Sequence, residues 1–182
     1  MPPTSPAPAP SSAPEPWLSG SHTDVPAAAR AVLHALELAQ DDIRKWTAGL
    51  TDLEIHTLPH GLPPLAFHLR HIARSVDRIL TYAEGNQLSD GQLALLKSEQ
   101  VGPQHGERET LAALIAEIER SFANAAQRIR ALGHADFDTP RTVGRKQLPT
   151  SLGGALIHVA DHTQRHTGQV ITTARVLKAL RA

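Results

Sequence analysis

The sequence predicts an all-α fold, a four-helix bundle of up-down-down-up or similar order preceded by a disordered Pro/Ala-rich tail. Three observations predict it. Four segments, each about five turns or more, repeat their apolar residues at the three-four spacing of a helix with one buried face. Alanine and leucine are abundant and β-branched residues rarely run together, which favours helix over sheet. No segment alternates convincingly as a strand would, and amphipathic helices without a sheet bury their stripes against one another. A chain of 182 residues suits one domain with a real core. The expected division is a tail over 1–20 and a bundle over 21–182.

Seven prolines precede Trp17, so the tail cannot hold a helix and has little to bury. Trp17 and Leu18 are its two side chains able to dock on the domain. The first helix is expected after Asp24 as N-cap, with Pro26 in its first turn. Leu36, Ala39, Ile43, Trp46 and Leu50 form its stripe, and Gly49 marks its end. Prolines and a glycine make 56–64 a loop. The second helix spans about 64–83, with Leu65, Leu69, Ile72, Val76, Ile79 and Ala83 inward and Gly85 closing it. A long connection follows, with a short helix expected over about 90–97. The third helix covers about 109–132 and stops at Gly133. Residues 134–149 read as loop with a short irregular hairpin. The fourth helix starts at Ser151, a fair N-cap, and runs to about Leu180, with Leu152, Leu156, Val159, Thr163, Val170, Ala174 and Leu177 inward.

Composition removes several function classes. Lys plus Arg equals Asp plus Glu at 18 each, which argues against a nucleic-acid binder of the usual basic kind. There is no cysteine, so disulfides, thiolate metal sites and cysteine nucleophiles are excluded. No apolar run reaches membrane-spanning length, and the N-terminus lacks the basic start and apolar stretch of a secretory signal. A cytoplasmic protein without a membrane partner is the expectation. From Arg141 onward seven basic residues face Asp161 alone. They form either a solvated face with favourable helix-end charge or a mouth that draws in a carboxylate-bearing small molecule.

Histidine carries the functional signal. The fourth helix places His158, His162 and His166 four residues apart. Measured from the centre of its apolar stripe, an ideal helix puts His166 about 40° off, His162 about 80° and His158 about 120°. Two imidazoles at i and i+4 can converge on one ion, and neutral imidazole suits zinc, nickel, copper or iron. An inward pair is otherwise costly, because each ring brings polar nitrogens that need partners. A third ligand is expected from the second helix, which offers His68 and His71. Helical phase slightly prefers His68, roughly 60° from the stripe centre against about 120° for His71, without settling the choice. His56 and His60 read as loop histidines, His22 lies near the tail, and His34, His105 and His134 have no partner in register. The signatures H-E-x-x-H and E-x-x-H are absent, so neither a zincin protease nor a di-iron carboxylate bundle is supported.

The segment LGGALIHVADHTQRHTGQVITTARVLKAL resembles the last helix of the DinB/YfiT-like superfamily of metal-binding four-helix bundles, where two histidines four apart precede a Gly-Gln. FHLRHIARSVDRILTYAEG resembles that family's second helix. The resemblance covers nearly the whole chain from about Asp24. Carried over residue by residue, it implies metal ligands at His71, His162 and His166, with His68 as the alternate third ligand. Arg74 stands where the family often has an acidic residue. Asp161 and Gln169 are the nearest remaining polar groups that could orient a ligand or substrate. The implied cofactor is a divalent metal ion, zinc first, with nickel, iron or manganese also allowed.

The resemblance further implies a transferase in which the metal activates a low-molecular-weight thiol against a small electrophile. A metal-dependent hydrolase and a non-enzymatic stress-response metal-binding protein are the alternatives. Exposed leucines are compatible with a homodimer.

Overall fold

The computed structural model describes residues 14–101 and 108–181. Its helices are α1 (Ala27–Thr47), α2 (Asp52–Ile55), α3 (Leu65–Ala83), α4 (Asp90–Val101), α5 (Leu111–Leu132) and α6 (Leu152–Ala179), with a hairpin of β1 (Pro140–Val143) and β2 (Leu148–Ser151) before α6. α1, α3, α5 and α6 are the four helices of the bundle. The expected tail divides. Residues 1–13 lie outside the described part. Pro16–Leu18 form a 3-10 turn against α1 rather than extended chain, although Trp17 and Leu18 stay exposed.

Local chemistry explains the boundaries. Gly49 and Gly85 take φ +77° and +84° just after α1 and α3, a conformation that admits glycine without strain. Asp24 does not cap α1. Pro26 occupies the cap position, and the Asp24 carboxylate accepts from Arg130 on α5. Between Gly49 and the expected loop over 56–64, Thr51 and Glu54 close a capping box that builds α2, and Ile55 from that turn is fully buried. Thr110 caps α5 and Ser151 caps α6 through their side-chain oxygens. α4 continues one turn past the expected 97, and that turn carries Glu99.

Side-chain contacts fix the helix directions. Lys178 near the end of α6 donates to the Trp46 carbonyl near the end of α1, so these two run parallel. Arg130 late in α5 reaches His22 and Asp24 before α1, so α5 is antiparallel to α1. Arg74 pairs with Glu117, and Arg128 with Asp77 and Glu84, so α3 and α5 run together. The order is up-down-down-up, as expected. α6 packs on both α1 and α3, and α5 closes the other side. The core is aliphatic, with Leu33, Leu36, Leu69, Ile72, Ile118, Ile129, Leu156 and Val159 almost wholly removed from water.

The hairpin sits tightly on the start of α6. A Cβ at Gly154 would meet Thr150 Oγ1 at 2.7 Å, and one at Gly153 would meet Phe137 Cβ at 3.1 Å. The two glycines therefore let the hairpin fold back over α6, where Val143 and Thr150 become part of a cavity wall.

Candidate metal centre

α3 and α6 pack antiparallel along an apolar seam, so rising numbers on one helix meet falling numbers on the other. His68 accordingly meets His166, and His71 meets His162. His71, His162 and His166 each bring one ring nitrogen to within 4.8 Å of the others. The Nε2 atoms of His71 and His162 lie 2.9 Å apart, and the His166 ring is 4.5 Å from His71 and 4.7 Å from His162, centroid to centroid. The three sequence-predicted residues are thus brought together. His68, the alternate, is not one of the converging three. It sits deeper, at 3% exposure, with Nδ1 3.1 Å from His166 Nδ1.

Two neighbours determine which nitrogen of His71 and of His166 faces the centre. Glu99 Oε2 is 2.8 Å from His71 Nδ1. A carboxylate accepts only, so His71 carries its proton on Nδ1 and turns the Nε2 lone pair toward His162. Glu99 is itself gripped by Arg78, with Nη1 to Oε1 at 2.6 Å and Nη2 to Oε2 at 3.2 Å. Burial alone would raise the Glu99 carboxyl. The hydrogen bonds from His71 and Arg78, and the Arg78 charge, outweigh it and hold the group below the usual carboxylate range. His68 plays the corresponding part for His166. A proton on His166 Nδ1 given to His68 Nδ1 leaves His166 Nε2 as a free lone pair.

Glu99 and Arg78 were not among the residues predicted from sequence. Arg78 follows His71 by seven residues and so shares its helix face. A basic residue on the buried side of an apolar helix calls for a carboxylate, and that was the available signal. Ending α4 at 97 left Glu99 outside the helix and hid its partner.

The donor set fits a divalent transition-metal ion. Three imidazoles converge, and no cysteine is needed. His68 Nε2 and His162 Nδ1 are buried without a partner among the described residues, and neither is the nitrogen by which His162 meets His71 or His166 meets His68. Burial first, then the charge of His71, lowers the pKa of His68, His162 and His166 to about 4. At neutral pH these rings are uncharged and keep a lone pair for a cation.

A cavity of about 700 Å³ opens on this layer and is lined by both His71 and His162. Its walls come from α3, α4, the hairpin and α6, with Ile79, Leu96, Val143 and Ile157 among them. His158 and Asp161 lie at its rim, paired at 2.8 Å and half exposed. Gln169 is exposed and away from this cavity. A smaller cavity of about 290 Å³, between Arg74, Asp77, Gln92 and Arg120, contains no histidine.

Other histidines have local roles. His56 Nε2 bonds the Glu109 carbonyl, and His134 Nε2 the Asp24 carbonyl. His60 is exposed, and His105 lies outside the described residues. His22, His34 and Glu37 come together, which sequence register did not predict. Arg130 donates to His22 Nδ1 at 2.8 Å, however, so His22 carries its proton on Nε2 and spends it on Glu37 at 2.7 Å. That arrangement is a hydrogen-bonded chain with no His22 lone pair left for a metal. Of the basic residues after 140, Arg141 bonds the Ala83 carbonyl, Lys178 the Trp46 carbonyl, Arg181 pairs with Glu54, and Arg175 lies over the Trp46 ring. They are spread over the bundle rather than gathered at the cavity. Arg74, where the family often has an acidic residue, ties α3 to Glu117 and Ser98.

A family model described as the DinB superfamily matches residues 35–170. The match takes in all of α3 and α6 as far as Val170, just past its seam histidines. The chain has no match among curated proteins. No helix among the described residues is long and apolar enough to cross a membrane.

Two outcomes are expected. The depressed histidines stay neutral in the folded chain while the unfolded chain takes up protons below about 6.5. Stability of chelator-treated protein should therefore fall as pH drops from about 6.5 toward about 4, and the depressed Glu99 and Glu109 carboxyls extend the loss to lower pH. Urea midpoints across that range check it, and a flat profile above about pH 5 contradicts buried neutral imidazoles. Glu99→Gln should weaken zinc binding by roughly 10–100-fold in competition with a chromophoric chelator. Glu99→Asp should recover part of that loss, and unchanged affinity in Glu99→Gln would remove Glu99 from the centre.

Proposed function

The chain belongs to the DinB superfamily, and we propose that it is a metal-dependent transferase joining a low-molecular-weight thiol to a small electrophile. The observation that carries this reading is the cavity of about 700 Å³ against the histidine layer. Among the described residues the converging group has three members, His71, His162 and His166, and no fourth side chain closes it. A purely structural site would be closed by protein and would have no use for a chamber of substrate size.

When bound, a divalent ion would act as a Lewis acid that lowers the pKa of a thiol or water beside it, with zinc the first choice and nickel, iron or manganese alternatives. The chain's own residues do the rest. Glu99 and Arg78 hold the His71 ring, and His68 holds the His166 ring, so two of the three nitrogens keep their aim. Apolar walls keep water away from the reacting sulfur. Sulfur bonds to the electrophilic carbon, the bond from that carbon to its leaving group breaks, and the thiol proton departs. His158 at the rim, with Nδ1 held by Asp161, has its Nε2 available to receive that proton.

Elemental analysis and a conjugation assay test the reading. Wild type is expected to carry a divalent metal ion, His71→Ala and His166→Ala to lose it, and His68→Ala to retain it with reduced affinity. Metal-loaded wild type should conjugate 1-chloro-2,4-dinitrobenzene with glutathione, bacillithiol or mycothiol, and the chelator should abolish the reaction. Unchanged metal content in His166→Ala contradicts the centre. Absence of metal-dependent conjugation with all three thiols contradicts the transferase.

A further inference from the structure

The charge of the cavity decides what it can hold. Its lining contains one permanent cation, Arg78, and both ends of that guanidinium are bonded to Glu99. Arg78 and Glu99 are buried together, with side chains 9% and 2% exposed. A second anion would have to displace Glu99, which would also release His71. The other charged lining group is Asp161 at the rim, already paired with His158. Arg141 of β1 donates to the Ala83 carbonyl, and none of Arg141, Arg145 and Lys146 in the hairpin is in the lining.

What remains is apolar surface with neutral hydrogen-bonding groups. Ile79 and Tyr82 of α3, Leu88 and Leu96 beside and within α4, Val143 of the hairpin and Ile157 of α6 form the walls. Tyr82 and Thr150 add uncharged hydroxyls. A carboxylate entering here would give up its hydration and find no unspent cation, a loss that a neutral molecule of the same shape avoids.

We propose that this cavity is the subsite for an uncharged, largely apolar small molecule with at most a neutral polar group, and that it selects against anions. As the electrophile subsite of the transferase, the proposal rests on the preceding reading. As a statement about binding selectivity, it can be tested apart from that reading.

The probes are 2-naphthalenemethanol and 2-naphthoate, which share a ring system and differ in charge. Each is titrated calorimetrically at neutral pH into the full chain as purified and after chelator treatment. The chelated sample removes direct capture of the carboxylate by a metal. The alcohol should bind at least about tenfold more tightly than the naphthoate to the chelated protein. Ile157 is half exposed and belongs to the wall rather than the histidine layer. Ile157→Arg should narrow or reverse the preference by supplying the missing cation.

Equal or tighter naphthoate binding to chelated wild type overturns the proposal, as does failure of the alcohol to bind. A preference that Ile157→Arg leaves unchanged places the probe elsewhere and overturns it too. If the as-purified chain holds no metal but still prefers the alcohol in an Ile157-dependent way, the subsite stands and the metal-dependent transferase falls.

Discussion

The antiparallel packing of α3 against α6 is the constraint on which the rest depends. Leu69, Ile72 and Val76 on one helix and Leu156, Val159 and Val170 on the other are buried to within a few hundredths of completely. Each such side chain contributes on the order of 2 kcal/mol by leaving water, so the seam has one strongly preferred register. That register places His71 between His162 and His166 and leaves His68 behind His166. A shift of one helical turn would separate the four rings. The candidate metal centre is thus a by-product of an apolar zipper, and its precision is inherited from the core rather than from loops.

α3 is bound on its remaining sides by arginine. Arg70 pairs with Glu109, Arg74 with Glu117, and Arg78 with Glu99. From the facing helix, Arg128 reaches back to Asp77 and Glu84. The buried Arg78–Glu99 pair differs from the others because it also touches a candidate ligand. Removing one partner of such a pair costs about 3–5 kcal/mol by leaving an unpaired buried charge. Stability and ligand orientation are consequently joined at one carboxylate, and α4, otherwise lightly packed, is tied to the centre through it.

Much of this was legible in the sequence because it depends on periodicity. Stripe spacing found the four bundle helices, and the terminators Gly49, Gly85 and Gly133 found their ends. Helical phase also read burial correctly, since His68 is deeper than His71. Burial and ligation are nevertheless different properties. The rings converge at the edge of the core, where a cavity leaves room, so the less buried histidine is the one whose nitrogen lies with those of His162 and His166. Phase on one helix cannot report where its neighbour opens, whereas the family resemblance at His71-Ile72-Ala73 pointed to the α3 histidine that converges with His162 and His166. Glu99 was not legible for a similar reason. Its meaning comes from Arg78 and His71, more than twenty residues earlier in the chain, and only tertiary contact joins them. Asp24 looked like a cap by local chemistry, but Arg130 on α5 was the stronger partner.

The central claim is that His71, His162 and His166 present three neutral imidazole nitrogens to one ion while His68 stays behind as a hydrogen-bond partner. Long-range nitrogen–proton NMR of the histidine rings, recorded as zinc is added to ¹⁵N-labelled, chelator-treated protein, tests it most directly. The predicted result is a zinc-dependent shift of one ring nitrogen in each of His71, His162 and His166, with His71 protonated at Nδ1 throughout and no metal shift at His68. A response at His68 in place of His71, or at only two of the three rings, would contradict the account.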